Sequence, residues 1–447
     1  MKLEASPIQF GTDGWRGLLG VDVTIERLLL VALAATEEMI YRGNCDLAKK
    51  VIIGYDRRFL APEFAEAIAS SVRACGLEPL LADEAVTTPA CSWAVVEHNA
   101  LGALIITASH NPPEWLGLKI KSPSGASVDE DFTRAVERRI LFKGKSIPEV
   151  QEIQKFNCRK NHLIGLQGKF NIPALVQGMQ SMGLHLIVDS MHGSAAGCIK
   201  ELLGRKSEEF LTEIRTNRDP LFGGNAPEPL EKNLGELIAN NKKSSKVGQP
   251  SLGLAFDGDG DRIAVIDETG RFCSTQVLIP LFIEHMVQVR NIPGCVIKTV
   301  SGSDCIRSIA EKFDRKVIEC PVGFKYIAKE MLHTKVLIGG EESGGIGFGE
   351  HLPERDALFA ALLLLEAIVQ GRQPLGVRLN NLARHIGSSA YDRIDLLLAN
   401  NESRVRFEES LKSDPPLLIR TKKVKQVISI DGCKLKFGER DWLMFRF

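Results

Sequence analysis

The sequence predicts an α/β protein of several domains. Short runs rich in Val and Ile alternate with stretches of helical periodicity, a pattern that indicates βαβ units and parallel or mixed sheets. Several of these runs end in loops rich in Gly, Ser, Asp or His, where ligands of open α/β sheets bind. The length of 447 residues, at roughly 100–200 residues per domain, predicts three or four domains.

The elements follow one another in a regular order. A helix is predicted to begin near Pro62 and to end at Gly76, because Pro is common at helix starts and Gly at helix ends. The predicted strands are residues 51–55, 103–108, 184–189, 252–257, 295–301 and 335–340. The polar stretch 142–168 is predicted to be a linker, and the composition changes again near 275–290 and after about residue 386.

Charge and composition exclude several classes of protein. Lys plus Arg equals Asp plus Glu, at 56 each, so there is no basic excess of the kind that nucleic-acid binders carry. No apolar run approaches the ~20 residues of a membrane span, and we expect no membrane partner. The ten cysteines form no C-x-x-C pair, which predicts free thiols in a reducing cytoplasm.

The first loop with chemical potential is TASHNPPEW, residues 107–115, directly after a predicted strand. Turn backbone N–H groups at such a place can point at an anion. Phosphorylation of Ser109 would add about −1.5 to −2 charges and three acceptor oxygens. A serine in a loop of this composition is more often an ordinary turn residue, and the local sequence alone favours that interpretation over catalysis.

The second loop, DGDGDR, places Asp257, Asp259 and Asp261 between flexible glycines. Three carboxylates in a small volume repel one another unless a hard cation such as Mg²⁺ lies between them. An EF-hand is a poor alternative, because Arg262 stands where that loop needs Gly and apolar strands flank it. A solvated acidic turn remains a second alternative.

Three further segments are ambiguous by themselves. The loop GGEESGGIGFG (339–349) could accept hydrogen bonds from sugar hydroxyls or be a plain Gly-rich turn. Arg16 in FGTDGWRG (10–17) could bind a phosphate or form a surface ion pair. Lys325 in VGFK (322–325) has the character of an ordinary surface lysine.

Together, in this order, the loops resemble those of the α-D-phosphohexomutase superfamily, the phosphoglucomutases and phosphomannomutases, over essentially the whole chain. TASHNP resembles its phosphoserine loop, DGDGDR its metal loop, GEESGG its sugar-recognition loop and FGTDGWRG its N-terminal active-site segment. Further similar segments are VDSMHGSAAG (188–197), DPLFGGNAPEPLEKNL (219–234) and VGFK.

The resemblance implies three similar mixed-sheet α/β domains around a central cleft, and a smaller α+β domain at the C-terminus. We therefore expect a phosphoserine-bearing domain at 1–150, a metal-binding domain at 165–275, a sugar-recognition domain at 276–385 and a truncated phosphate-binding domain at 386–447. A cytoplasmic monomer or weak dimer acting on a phosphosugar is expected.

The resemblance also implies roles for individual residues. Ser109 would carry the phosphate, and Mg²⁺ would be bound by Ser109, Asp257, Asp259 and Asp261. Lys119 would be the general base, which favours a lowered pKa, and would act with Arg16 and His110. The substrate contacts implied are Thr12, Arg262, Gly323, Lys325, Glu341 and Ser343. A hexose 1,6-bisphosphate would be the intermediate and activator.

The resemblance also bears on the substrate and on the C-terminus. Gly345 stands where many relatives with GEMSGH or GEQSGH have histidine, which favours glucose phosphate, with mannose phosphate next. In the family a loop of the type R-x-S-G-T-E-P clamps the second phosphate, whereas Arg446 and Phe447 match only its first two positions. We therefore keep an impaired, phosphosugar- and metal-binding remnant as the alternative function, and a purely hydrolytic phosphotransferase as a third.

Overall fold

The structure is a computed structural model that describes residues 5–43, 46–141, 153–394, 396, 398 and 400–446. Strands and helices alternate through most of this range. The predicted strands and the predicted helix after Pro62 are all present, with ends that differ by at most two residues from the expected ones. The α/β class predicted from the sequence is therefore confirmed.

The first domain is built on a mixed sheet with the strand order β1-β5-β4-β2-β3-β6. Its strands are β1 (Trp15–Leu18), β2 (Lys50–Tyr55), β3 (Glu78–Ala82), β4 (Ala103–Ile106), β5 (Trp115–Lys121) and β6 (Lys155–Phe156). Its helices are α1 (Ile25–Arg42), α2 (Ala61–Ala74), α3 (Thr88–Glu97), α4 (Glu130–Leu141) and, after the sheet, α5 (Cys158–Gln167). β4 pairs parallel with β2 but antiparallel with β5. The segment TASHNPPEW (107–115), called the serine loop below, is therefore the turn between two adjacent antiparallel strands.

The polar stretch 142–168 is not a linker over its second half. Residues 142–152 lie outside the described residues, but β6 pairs parallel with β3 and α5 follows directly. The side chain of Asn157 caps α5, and Leu163 and Leu166 are buried. A narrow apolar face within a mostly polar composition therefore hid a helix, and the first sheet includes residues beyond 150.

The second domain has the strand order β11-β10-β9-β7-β8. Its strands are β7 (His185–Asp189), β8 (Leu211–Ile214), β9 (Ser251–Phe256), β10 (Ile263–Ile266) and β11 (Phe272–Cys273). Its helices are α6 (Ile172–Ser181), α7 (Cys198–Leu203) and α8 (Gly235–Lys246), with short 3-10 turns at Arg205–Glu209, Phe222–Gly224 and Glu231–Asn233. The aspartate loop is the turn between the antiparallel strands β9 and β10.

The third domain has the strand order β13-β12-β14-β15. Its strands are β12 (Cys295–Thr299), β13 (Val317–Cys320), β14 (Val336–Gly340) and β15 (Ile346–Phe348). Its helices are α9 (Thr275–Gln288), α10 (Asp304–Lys312), α11 (Phe324–His333), α12 (Ala357–Gly371) and α13 (Leu375–Ile386). The segment GEESGG (340–345), called the Glu-rich loop below, joins β14 to the antiparallel β15. In all three domains, a motif loop therefore connects two adjacent antiparallel strands.

A smaller α+β region follows. It contains α14 (Asn401–Ser413) and the strands β16 (Leu418–Ile419), β17 (Lys422–Lys423), β18 (Gln426–Ile428), β19 (Cys433–Lys436) and β20 (Trp442–Phe445). The last three form one antiparallel sheet. Phe447 lies outside the described residues.

The second and third domains share one hydrophobic core, centred on α12. Nearly every side chain of this helix is buried, from Ala357 to Ile368. The first domain has separate clusters on the two faces of its sheet. Nine cysteines are described, all free and eight of them buried, as predicted.

The helices were also compared with the length of a membrane span. Within the described residues, no single helix is long and apolar enough to cross a membrane, and α12 with α13 meets the criterion only as a pair bent by 83°.

We predict that Leu363→Ala lowers the free energy of unfolding by about 2–5 kcal/mol, because Leu363 is fully buried in the shared core and the substitution leaves a cavity. Leu332→Ala on α11 is the matched control, since that side chain is 49% exposed, and should change stability by about 0.5 kcal/mol or less. Urea denaturation of both variants measures the difference. Equal losses would contradict the central position of α12.

Candidate active site

The serine loop holds Ser109 in an unusual, fully buried conformation. Ser109 has a φ of +52° and is 1% exposed. Its backbone N–H donates to Oγ1 of Thr107 over 2.8 Å, and Thr107 in turn donates to Oδ2 of Asp56 over 2.6 Å. The left-handed backbone is costly for a residue with a side chain, so its neighbours must hold it in place.

Arg58 supplies most of that restraint. Its guanidinium donates to the carbonyl oxygens of Ser109, Asn111, Pro112 and Trp115 at 2.7–3.0 Å, and its Nε lies 3.2 Å from Oδ2 of Asp56. The side chain is fully buried. Sequence reasoning missed Arg58, although its place in YDRR directly after β2 was an available signal. Hydrogen bonds from this one arginine therefore fix the backbone of the loop at four positions.

The aspartate loop meets the serine loop from the opposite side. Asp257, Asp259 and Asp261 are completely buried, and one carboxylate oxygen of each lies within 4.8 Å of the others. The hydroxyl of Ser109 donates to Oδ2 of Asp257 over 3.0 Å. A Cβ on Gly258 would lie 2.5 Å from the carbonyl oxygen of Ser109, so the close approach of the two loops requires glycine here.

The electrostatics of this triplet fit a hard divalent cation. Burial and the neighbouring carboxylates of Asp261 and Asp259 raise the pKa of Asp257 well above its usual value. Oδ1 of Asp259 and Oδ1 of Asp261 are buried and accept no hydrogen bond from any residue that the structure describes. Buried oxygens with unused lone pairs beside a repelled carboxylate are the donor set that Mg²⁺ takes in proteins.

The other oxygens of the same carboxylates face protein cations. Lys119 on β5 is 1% exposed, and its Nζ lies 2.7–2.8 Å from Oδ2 of Asp13, Asp259 and Asp261. Burial alone would lower the pKa of Lys119, but the three carboxylates outweigh it and raise this pKa. The lowered pKa that we expected is therefore wrong, because the sequence could not show that three acids surround the lysine.

A second cation of the site, Arg355, was also missed. It follows β15 in the run HLPERD, is 3% exposed, and its Nη2 lies 2.6 Å from Oδ2 of Asp261. It pairs with Asp13 as well, and its Nη1 lies 3.6 Å from Oε2 of Glu341. Burial would lower the pKa of Arg355, but these acids raise it well above the usual value. An arginine directly before a long apolar helix was the signal available in the sequence.

The Glu-rich loop (340–345) contacts the end of the aspartate loop through its backbone. The N–H of Ile263 donates to the carbonyl of Gly344 over 3.1 Å, next to a bridge between Arg262 and Gly345. Glu341 is 5% exposed, and burial raises its pKa to about 7 although Arg355 opposes the shift. Ser343 lies half-buried in the turn between β14 and β15.

The structure also places Arg16 and His110 at the serine. Arg16 Nη1 donates to Oδ1 of Asn111 over 2.8 Å. Nδ1 of His110 lies 3.3 Å from Oγ of Ser109, and burial with the charges of Arg262 and Arg16 holds the pKa of His110 well below its usual value. His110 therefore contacts Ser109 directly, whereas Arg16 contacts Asn111 of the same loop.

The VGFK segment connects the third domain to its neighbours. The N–H of Gly323 donates to Oε1 of Glu341 over 3.1 Å, and a Cβ on Gly323 would lie 3.5 Å from Thr12, which is exposed. Lys325 has an acidic partner, since its Nζ lies 2.6 Å from Oε1 of Glu130 on α4. Lys325 also lines one small pocket together with Thr12 and Asp13 of the N-terminal loop.

The end of the described chain approaches the same segment. Asp431, before β19, accepts from the N–H of Val322 over 2.9 Å and from Nε of Arg446 over 3.1 Å. The small C-terminal sheet thereby contacts the third domain beside Gly323.

Family models match most of the chain. The three α/β/α domains described as phosphoglucomutase/phosphomannomutase domains I, II and III match residues 7–145, 166–270 and 275–385. The chain therefore belongs to the phosphoglucomutase/phosphomannomutase family. Membership of this family makes it an enzyme of the phosphohexomutase type.

Individual relatives match most or nearly all of the chain. A protein of Methanosphaera stadtmanae named "Probable phosphoglucosamine mutase" is 28% identical, over 99% of this chain and 92% of that protein. A "Phosphoglucomutase/phosphomannomutase" of Thermococcus kodakarensis is 27% identical, over 84% of this chain and 80% of that protein. The crystal structure of a "putative phosphomannomutase" from Thermus thermophilus is 31% identical, with a TM-score of 0.85 over 99% of this chain and 94% of that chain.

We predict that Arg58→Met speeds amide hydrogen exchange across residues 107–115 and destabilises the protein by about 3–5 kcal/mol, because Asp56 is left buried without its cation. Arg215→Met is the matched control, since Arg215 pairs with the buried Asp189 at the end of β7. It should loosen the second domain and leave exchange in 107–115 unchanged. Unchanged exchange in 107–115 of the Arg58 variant would contradict the role of this arginine.

Proposed function

We propose that this chain moves phosphate between C1 and C6 of a hexose, with glucose phosphate favoured and mannose phosphate next. The observation that carries the proposal is the contact between Oγ of Ser109 and Oδ2 of Asp257, 3.0 Å apart and fully buried. A hydroxyl directly against a carboxylate triplet is placed to carry a phosphoryl group that a cation neutralises. A hexose 1,6-bisphosphate would be the intermediate and activator.

The residues of the chain divide the work. Ser109 holds the phosphoryl group on Oγ and transfers it to a free sugar hydroxyl, and the loop bound to Arg58 keeps that oxygen in place. Mg²⁺, held by Asp257, Asp259, Asp261 and the phosphorylated Ser109, would neutralise the charge that moves with the group. Lys119 contributes a fixed positive charge from the other side of the same carboxylates rather than a free amine. Arg16 and Arg262 are placed to add further positive charge near the serine.

Glu341 and Ser343 are the proposed contacts of the sugar. Glu341 is buried beside the backbone N–H of Gly323, and a carboxylate in that position accepts hydrogen bonds from hydroxyl groups. Thr12, Gly323 and Lys325 line the approach to it from the N-terminal loop and VGFK. The absence of a side chain at Gly345 supports glucose as the hexose, by the resemblance described above.

The function is tested by assaying glucose 1-phosphate with Mg²⁺ and a hexose 1,6-bisphosphate. We predict turnover by the wild-type chain and a loss on the order of 10³-fold or more in Ser109→Ala, because the phosphoryl carrier is removed. Ser124→Ala, in the turn after β5, is the matched control and should keep wild-type activity. A fully active Ser109→Ala variant would contradict the phosphoserine mechanism.

Other outcomes identify the alternatives. Turnover of glucosamine phosphate without turnover of glucose phosphate would favour the activity for which the Methanosphaera relative is named, and would contradict the glucose assignment. Binding of phosphosugar and Mg²⁺ without turnover would favour the binding remnant. Phosphate release that outpaces isomer formation would favour hydrolysis.

We predict that affinity for the hexose phosphate rises as the pH rises through about 7, because Glu341 must lose its proton to accept hydrogen bonds from the sugar. The effect on folding has the opposite sign. A carboxyl whose pKa is raised in the folded state contributes stability below its unfolded value of 4.5, and this contribution is lost as the pH passes through about 7. The pH dependence of KM measures the first effect. Glu341→Gln should abolish the increase of KM at acidic pH. An unchanged increase of KM in this variant would contradict the assignment.

A further inference from the structure

Gly345 in the sugar-recognition loop leaves a space that another side chain fills. A Cβ on Gly345 would lie 2.4 Å from Cδ of Arg355 and 3.2 Å from Oε2 of Glu341. Its φ lies outside the left-handed region, so an alanine would suit the backbone and would clash chiefly with the side chain of Arg355. The glycine and the arginine therefore depend on each other.

Arg355 uses this space to reach acids on three different segments. Its two terminal nitrogens contact Asp261 of the metal loop, Asp13 of the N-terminal loop and Glu341 of the sugar loop. Each acid belongs to a different domain. The planar fork of arginine can hold several carboxylates at once, which a lysine ammonium on a flexible stem does less well.

The residues on either side of Arg355 fix its backbone. Glu354 forms a buried ion pair with Lys121 on β5 and accepts the N–H of Arg355 over 2.9 Å. Asp356 caps α12 with Oδ1, and its Oδ2 lies 2.8 Å from Nε2 of both His162 and His351. The rings of His351 and Phe359 stack 4.7 Å apart, which packs this side of the segment.

We propose that Arg355 is a positioning residue for sugar recognition. It occupies the space that Gly345 leaves open and holds Glu341 at a fixed place relative to Asp261 of the metal loop. The proposal rests on the function proposed above, because it takes Glu341 as the sugar contact and Asp261 as part of the metal site. It assigns Gly345 a role in making room for a cation.

The proposal has a consequence that a merely structural arginine would not have. Alanine at 345 removes no interacting group, yet it must push Arg355 away from Glu341. We therefore predict that Gly345→Ala and Arg355→Met each lower kcat/KM for the hexose phosphate about tenfold or more, mainly through KM. The double variant should be no worse than Arg355→Met alone, because the alanine acts chiefly through Arg355.

The pH profile gives an independent readout. The charges that face Glu341 are the cations of Arg355 and Arg262 and the carboxylates of Glu342 and Asp13. Arg355→Met removes the Arg355 cation and Gly345→Ala displaces it from Glu341. In both single variants, KM should therefore begin to increase at a higher pH than in the wild-type chain. Gly235→Ala is the matched control, since a Cβ there meets no atom within 4 Å, and it should leave kinetics and profile unchanged.

Several results would overturn the proposal. Wild-type kinetics and profile in Gly345→Ala would do so, and so would losses in the double variant that equal the product of the single losses. Arg355→Lys replaces Arg355→Met in the same cycle if the methionine variant does not fold. If the wild-type chain turns over no phosphohexose, the proposed function fails, and calorimetric Kd values for glucose 6-phosphate in the same four proteins still test the positioning.

Discussion

Burial of three carboxylates at one turn is the constraint on which the rest of the site depends. Asp257, Asp259 and Asp261 have no exposure to solvent, and a buried charge is stable only when it is paired or coordinated. The second domain does not supply the cations that contact them most closely. Lys119 comes from the first domain and Arg355 from the third, and Thr88 of the first domain donates to Oδ2 of Asp259 over 2.6 Å. The acids thus bring the three domains together at one point.

The two oxygens of these carboxylates serve different purposes. Oδ2 of Asp259 and Asp261 faces the protein cations. Oδ1 of both accepts no hydrogen bond from the described residues, and Nε of Arg262 approaches Oδ1 of Asp261 only to 3.9 Å. A cation bound at the Oδ1 side would lie on the side not occupied by Lys119 and Arg355. The bound metal ion and the protein cations can therefore contact the same carboxylates at the same time, through different oxygens.

Much of this arrangement could be predicted from the sequence, because the informative residues are close together along the chain. The alternation of strands and helices indicated the fold class, and the motifs around Ser109, Asp257 and Glu341 marked the ends of the correct strands. The first sheet was harder to predict, since the apolar face of α5 is narrow and lies in a polar stretch. The strands β5 and β10 were also not among the individually predicted strands, although they place Lys119 and close the aspartate turn.

The remaining residues depend on contacts between distant parts of the chain. Arg58 lies 51 residues from Ser109, and Arg355 lies 94 residues from Asp261. The position of each arginine beside a strand or helix was a signal, but the residues around it do not reveal its partners. The same holds for Lys119, whose pKa is set by acids on two other segments, and for Lys325, whose partner Glu130 lies on a helix of another domain. Burial and pairing decide these properties, and one sequence shows neither.

The central claim is that the free oxygens of the triplet bind a divalent cation while Lys119 stays on the opposite side. Anomalous diffraction from crystals soaked in Mn²⁺ tests it most directly, because Mn²⁺ takes the same oxygen ligands as Mg²⁺. We predict one strong site at Oδ1 of Asp259 and Asp261, beside Oγ of Ser109, with Nζ of Lys119 still against the Oδ2 atoms. An empty triplet, or an ion that displaces Lys119, would contradict the account.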